Sequence, residues 1–97
     1  MAAYLIADIG EIHVQATYDR YRAQTPGLIQ KAGGRFIVRG GKTETVEGDW
    51  QPGRLVVIEF PDMATARRFY ASPEYREILP LRLKASRGGK VLFVEGV

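Results

Sequence analysis

Residues 3–9, Ala-Tyr-Leu-Ile-Ala-Asp-Ile, form a short apolar run with β-branched and aromatic members, closed by Gly10. Length and composition predict a strand, and the weak alternation predicts burial on both faces. From Val14 the period changes. Val14, Tyr18, Tyr21, Leu28 and Ala32 recur at steps of three, four and seven, with Arg20, Arg22, Gln30 and Lys31 mostly opposite. This pattern predicts an amphipathic helix ending at Gly33. Pro26 lies inside it and predicts a kink or break near Thr25, because proline has no N–H and crowds the preceding turn. Residues 35–40 (RFIVRG) read as a second strand and residues 54–60 (RLVVIEF) as a third. Between them, residues 43–47 alternate polar and β-branched side chains. The second strand is therefore expected to resume beyond a bulge at Gly40-Gly41, with Gly48, Asp49 and Pro52-Gly53 supplying the turn.

Asp62 stands where the N-cap of a second helix would be, with Met63, Ala66, Phe69 and Tyr70 on one face and Arg67 and Arg68 pointing away. Ser72, Pro73 and Glu74 repeat the helix-start signature, so this helix is expected to break and restart in a new direction. Tyr75, Ile78, Leu79 and Leu83 would form its apolar side, with Pro80 perturbing the middle. Gly88-Gly89 makes a turn into a fourth strand, residues 90–96. The order β-α-β-β-α-β with right-handed crossovers predicts an α+β, ferredoxin-like domain spanning residues 1–97. It has a four-stranded antiparallel sheet of order 4-1-3-2 and both helices on one face.

Two helices cover one face of such a sheet, and the other should then be polar. Instead, Leu55 and Val57 oppose Val56, Ile58 and Phe60, Val91 and Phe93 oppose Leu92 and Val94, and Tyr4 and Ile6 oppose Leu5, Ala7 and Ile9. Both sets are apolar. An apolar face of several hundred Å² is an association site, and a second copy of the same sheet is its most economical cover. A homodimer is expected, with two sheets packed face to face into a barrel-like core. Asp8, Arg39 and Glu59 interrupt these strands. They are either strand-end residues in solvent or, if turned inward, members of ion pairs, because an isolated buried charge is expensive.

The 97 residues fit one compact domain, and 45% hydrophobic with 26% charged residues carry no bias toward disorder. The net charge of +3 is interspersed, its tightest cluster being Arg82, Lys84, Arg87 and Lys90. A nucleic-acid footprint is usually denser. The strand order is shared with the RNA-recognition module, but the third strand lacks that module's aromatic stacking pattern, so no nucleic-acid partner is expected. The absence of cysteine removes disulfides, thiolate nucleophiles and zinc–cysteine sites. No signal-like N-terminus or membrane-length apolar run is evident, and a cytoplasmic protein without a membrane partner is expected.

His13, the only histidine, has no serine at triad spacing and no recognisable metal pattern with Asp8 and Glu11, and reads as a solvated loop residue. No metal is expected. Tyr18 and Tyr21 share the apolar face of the first helix, and Tyr70 and Tyr75 bracket the break between the later helices. Each is either core packing or a phenol reaching toward a cavity. Trp50, the only tryptophan, sits in the loop between the second and third strands, where it would pack on a partner or line a cleft.

The ordered set GGRFIVRGG, EGDW, RLVVIEFPD, FYASPEYREILPLR and terminal VEG resembles the bacterial domain-of-unknown-function 1330 family over nearly the whole chain. The resemblance implies the dimeric α+β barrel superfamily. That superfamily includes cofactor-independent monooxygenases, small isomerases, decarboxylases and haem-dependent enzymes, with sites between sheet and helices. Carried over by position, the family's recurring residues fall on Tyr18 or Tyr21, Arg39, Trp50, Glu59, Tyr70, Tyr75 and Arg82. Val14 and Gln15 depart from the Asp-Pro helix start of many relatives. A haem would need His13 as ligand, and no cofactor is expected. Two functions follow as expectations. In one, a homodimeric, cofactor-independent enzyme acts on a small organic substrate: Arg39 or Arg82 anchors a carboxylate or enolate oxygen, Glu59 is the general base, and Tyr18, Tyr75 and Trp50 shape the pocket, with Tyr21 and Tyr70 beside them. In the other, the chain is a non-catalytic ligand-binding or interaction module whose charges are structural pairs.

Overall fold

In the computed structural model, which describes residues 1–97, the first apolar run becomes strand β1 (Ala3–Asp8). A two-residue strand β2 (Glu11–Ile12) leads into helix α1 (Gln15–Lys31), then β3 (Arg35–Arg39) and β4 (Leu55–Phe60). Helices α2 (Met63–Ala71) and α3 (Pro73–Ala85) follow, then β5 (Ser86–Arg87), which pairs with β2, and finally β6 (Lys90–Glu95). The four long strands form an antiparallel sheet in the order β3-β4-β1-β6, the 4-1-3-2 arrangement expected once the short β2–β5 pair is set aside. The chain is a ferredoxin-like α+β protein, and no helix in it is long and apolar enough to cross a membrane.

The helix starts obey local chemistry. The Asp62 carboxylate accepts the Thr65 N–H at 2.7 Å, and the Ser72 hydroxyl accepts the Tyr75 N–H at 3.2 Å. Ser72 is extended (φ −64°, ψ 147°) and ends α2, while Pro73 restarts the chain as α3. At the far end of α1, Gly33 takes φ +89° and its N–H returns to the Gln30 carbonyl, which turns the chain into β3.

Alternation sorts the sheet into two faces. Leu5, Ala7, Val56, Ile58 and Phe60 are buried beneath the helices. On the opposite face Tyr4 lies across from Glu59 and Val94, and Ile6 across from Val57 and Leu92. Leu92 and Val94 are 54% and 41% exposed, so this second face is apolar and open in a single copy.

Four expectations from the sequence are corrected. Helix α1 runs through Pro26 without interruption; the Arg22 carbonyl, which loses its α-helical donor there, accepts instead from Arg39 at 3.2 Å and the Thr25 hydroxyl at 3.4 Å. Residues 43–47 form no strand, because no neighbouring strand lies beyond the β3 edge to accept their backbone hydrogen bonds. The bulge lies between Phe36 and Val38, not at Gly40-Gly41. On α3 the buried stripe is Tyr75, Ile78, Leu79, Arg82 and Ala85, while Leu83 is 60% exposed. Arg82 is seven residues from Tyr75 and so shares its face.

Asp8 is buried rather than solvated, at 5% exposure. Its Oδ1 accepts the Gly10 and Gly53 N–H groups at 2.9 and 3.0 Å, and its Oδ2 accepts Trp50 Nε1 at 2.9 Å. One carboxylate thus ties the end of β1 to the loop that precedes β4. Burial pushes the Asp8 carboxyl up, but the donors from Trp50, Gly10 and Gly53 outweigh it and hold it below its ordinary value of 3.8. Folding therefore favours the ionised form. The stabilisation is complete above pH 3.8 and is lost as pH falls through the lower folded-state value. Asp8→Asn is expected to cost about 2 kcal/mol at pH 7, as measured by urea unfolding. The gap from wild type should narrow once the pH drops below 3.8.

Candidate functional site

The helix face of the sheet does not pack solidly. Between it, α1 and α3 lies a cavity of about 40 Å³, room for roughly three water molecules. Apolar walls come from the sheet and from Ile29 and Phe69, and polar groups come from the helices and the rim. On α1 the steps of three and four residues place Tyr18, Tyr21 and Thr25 on the inner face. Tyr70 near the end of α2, with Tyr75 and Arg82 on α3, completes the inner polar set.

The phenols form a contiguous cluster. The Tyr21 and Tyr75 hydroxyls are 2.7 Å apart, one donating its proton to the other. The Tyr75 ring lies 4.8 Å from that of Phe69 and 5.2 Å from that of Tyr70, which fixes its position within the core. Burial, followed by the neighbouring Tyr75 hydroxyl, pushes the Tyr21 phenol well above its ordinary value, so it stays protonated.

Arg82 is the exceptional group. It is 5% exposed, its Nε has no hydrogen-bond partner, and no carboxylate lies within ion-pair distance of it. Its Nη2 reaches the Tyr70 hydroxyl at 3.5 Å, and its guanidinium carbon is 6.0 Å from the Tyr21 ring centroid. Burial works against its charge, but an arginine does not give up its proton within a protein. A permanent cation therefore sits in an aromatic cavity with only neutral acceptors around it.

The rim adds more positive charge. Arg54 donates through Nε to the Tyr18 hydroxyl at 3.0 Å and lies against Gly40, where any Cβ would collide with its guanidinium. Gly40 thus makes room for an arginine, while Gly41 faces open space. Arg39 stacks over Phe36 at 4.5 Å. Arg22, the remaining arginine of the lining, is ion-paired to Asp19 at 3.4 Å. No Asp or Glu lines the cavity.

Of the residues singled out in the sequence, Tyr18, Tyr21, Arg39, Tyr70, Tyr75 and Arg82 are brought together here. Glu59 and Trp50 are not. Glu59 pairs across the strands with Arg35 on the open face, at 2.8 Å, and accepts from Tyr4 at 3.4 Å. Trp50 is held on Asp8, away from the cavity. Arg54 was missed. Its signal was parity, because it sits just ahead of β4, two residues before Val56 and four before Ile58, in step with that strand's inward side. His13 is exposed at the start of α1, and no cluster of His, Asp and Glu side chains able to hold a metal is present.

Sheet order and one-sided helices define a ferredoxin-like α+β protein, with a largely apolar cavity between its two layers. The chain belongs to the family Domain of unknown function (DUF1330), which matches residues 2–97. A protein of unknown function from Rhodopseudomonas palustris superposes with a TM-score of 0.80 at 15% identity, over 99% of this chain and 82% of the other. A dimeric ferredoxin-like protein of unknown function from Jannaschia sp. CCS1 gives 0.71 at 18% identity, over 99% and 100%. An antibiotic biosynthesis monooxygenase gives 0.57 at 19% identity, over 100% and 99%. At these identities the likeness concerns the fold. The sequence matches no curated protein.

A lone cation in such a cavity costs stability. Arg82→Met, similar in length and apolar, is expected to unfold at higher urea concentration than wild type, with a gain of about 1–4 kcal/mol. A loss of stability would make Arg82 a structural strut.

Proposed function

We propose that the protein is a homodimer that binds a small organic anion in the cavity between sheet and helices, one site per subunit, with Arg82 as the anchor. The observation that carries this reading is the buried guanidinium with a free Nε and no acidic partner. Guanidinium offers a rigid fork of donors, and a carboxylate or enolate oxygen satisfies it in two places at once. Aromatic walls around one or two charged anchors are the usual lining of a small-molecule pocket.

Dimerisation is supported by the open sheet face, where Leu92 and Val94 are exposed in a single copy, and by the dimeric relative of the same fold. The Arg35–Glu59 pair lies on that face and would enter the interface already matched.

Within the same cavity, the Tyr21–Tyr75 hydrogen bond of 2.7 Å favours a second reading, cofactor-independent catalysis. A substrate that arrives already as an enolate, its oxygen held by Arg82, would lie beside a phenol able to give it a proton, with water then returning a proton to the phenolate. Proton handling would then fall to the tyrosines, since Glu59 is on the other face of the sheet.

Two measurements test the proposal. Isothermal titration with short carboxylates at fixed ionic strength should show saturable binding to wild type and none to Arg82→Met; equal binding by both proteins would overturn the anchor. Light scattering at micromolar concentration should report a dimer for wild type and a monomer for Leu92→Glu, and a monomeric wild type would overturn the assembly.

A further inference from the structure

Charge and placement in the cavity say more about the ligand than that it is anionic. Three of the arginines that line it, Arg39, Arg54 and Arg82, have no carboxylate within 4.0 Å, and the lining holds no acid. A ligand with a single negative charge would neutralise one of them. The two most enclosed are joined by a path of aromatic rings. The Arg54 guanidinium lies 5.7 Å from the Tyr18 ring centroid, Tyr18 lies 5.7 Å from Tyr21, and Tyr21 lies 6.0 Å from the Arg82 guanidinium. A cation thus stands at each end of a two-tyrosine step, one deep and one at the rim.

Each end has donors to spare. Arg82 has its unpartnered Nε in the interior. Arg54 spends Nε on the Tyr18 hydroxyl, which positions the group and leaves its Nη atoms free of protein partners. Arg39 is the third cation, oriented by Phe36 and by the Arg22 carbonyl that Pro26 leaves open. A phenol oxygen or ring lies between the two ends, with no second apolar chamber for a large hydrocarbon tail.

We infer that the ligand of this cavity is a short dicarboxylate, one carboxylate on the buried Arg82 and the other at the rim on Arg54. The inference rests on the anion-binding reading above and narrows it. The enclosed part of the cavity, about 40 Å³, takes little more than one carboxylate group and a carbon or two, so the second carboxylate lies at the open rim.

The experiment is a calorimetric comparison on the wild-type protein at constant ionic strength, with acetate and butyrate against malonate, succinate and glutarate. At least one dicarboxylate should bind about 10-fold or more tightly than the best monocarboxylate, since a second charged hydrogen-bonded contact is added. In Arg54→Gln that ratio should fall to near one, and Tyr18→Phe, which keeps the Arg54 charge but removes its hydrogen bond, should lie between the two. Monocarboxylates binding as tightly as every dicarboxylate would overturn the inference and leave the anion site standing. If none of the five binds, the anion-binding reading itself fails. The wild-type comparison decides the matter even if a variant does not fold.

Discussion

A pleated strand sends alternate side chains to opposite faces, and nearly every strand of this chain supplies apolar residues to both. The rest of the architecture answers that constraint. One face is met by α1, α2 and α3, whose aromatic residues fill most of the layer. The other keeps Ile6, Val57, Leu92 and Val94 in register with no element above them. A small domain buries too little surface to leave such a face idle. The same constraint divides the charged residues, since a side chain on a strand must take one face or the other.

That division depends on one irregularity. Arg35 and Arg39 are both odd-numbered, so an unbroken β3 would send them to the same side of the sheet. The bulge between Phe36 and Val38 inserts one residue, so Arg35 pairs opposite Glu59 while Arg39 pairs opposite Val56. Arg35 then neutralises Glu59 on the open face, and Arg39 turns toward the helices. A second irregularity holds it there. Pro26 withholds the N–H that the Arg22 carbonyl would take, and Arg39 supplies the replacement. Proline tolerated within a helix and arginine aimed at a cavity are two ends of one hydrogen bond.

The larger elements were legible because period and punctuation agreed. Ser72 followed by Pro73 marks the restart of α3, Asp62 marks α2, and the apolar runs mark the strands. Six of the residues singled out for a site do line one cavity, since helix-face spacing places Tyr18, Tyr21, Tyr75 and Arg82 without tertiary detail. What escaped was tertiary. A bulge has no sequence mark when the inserted residue is an ordinary isoleucine, Ile37. Alternation in residues 43–47 suggests a strand, but a strand needs a neighbour, and β3 is an edge. Arg82 was given a role in the site while Leu83 was given the buried stripe, because hydrophobicity outweighed position. The heptad step from Tyr75 points to the arginine.

Two buried charges show how differently this fold treats its ions. Asp8 receives donors on both oxygens, from Gly10, Gly53 and Trp50, and nothing about it is left unsatisfied. Its work is complete in the folded chain, where it fastens the loop before β4 to the end of β1. Arg82 is equally shielded, at 5% exposure, yet its Nε has no partner and its nearest acceptors are neutral phenols. A chain able to surround a carboxylate so fully could equally have set an acid beside the guanidinium, for instance at Thr25 in the same cavity. Stability alone would favour that pair, or an apolar side chain in place of the arginine. In the proposed anion site the cation stays unmatched so that a ligand can match it, which would make Asp8 a fastening and Arg82 a receptor.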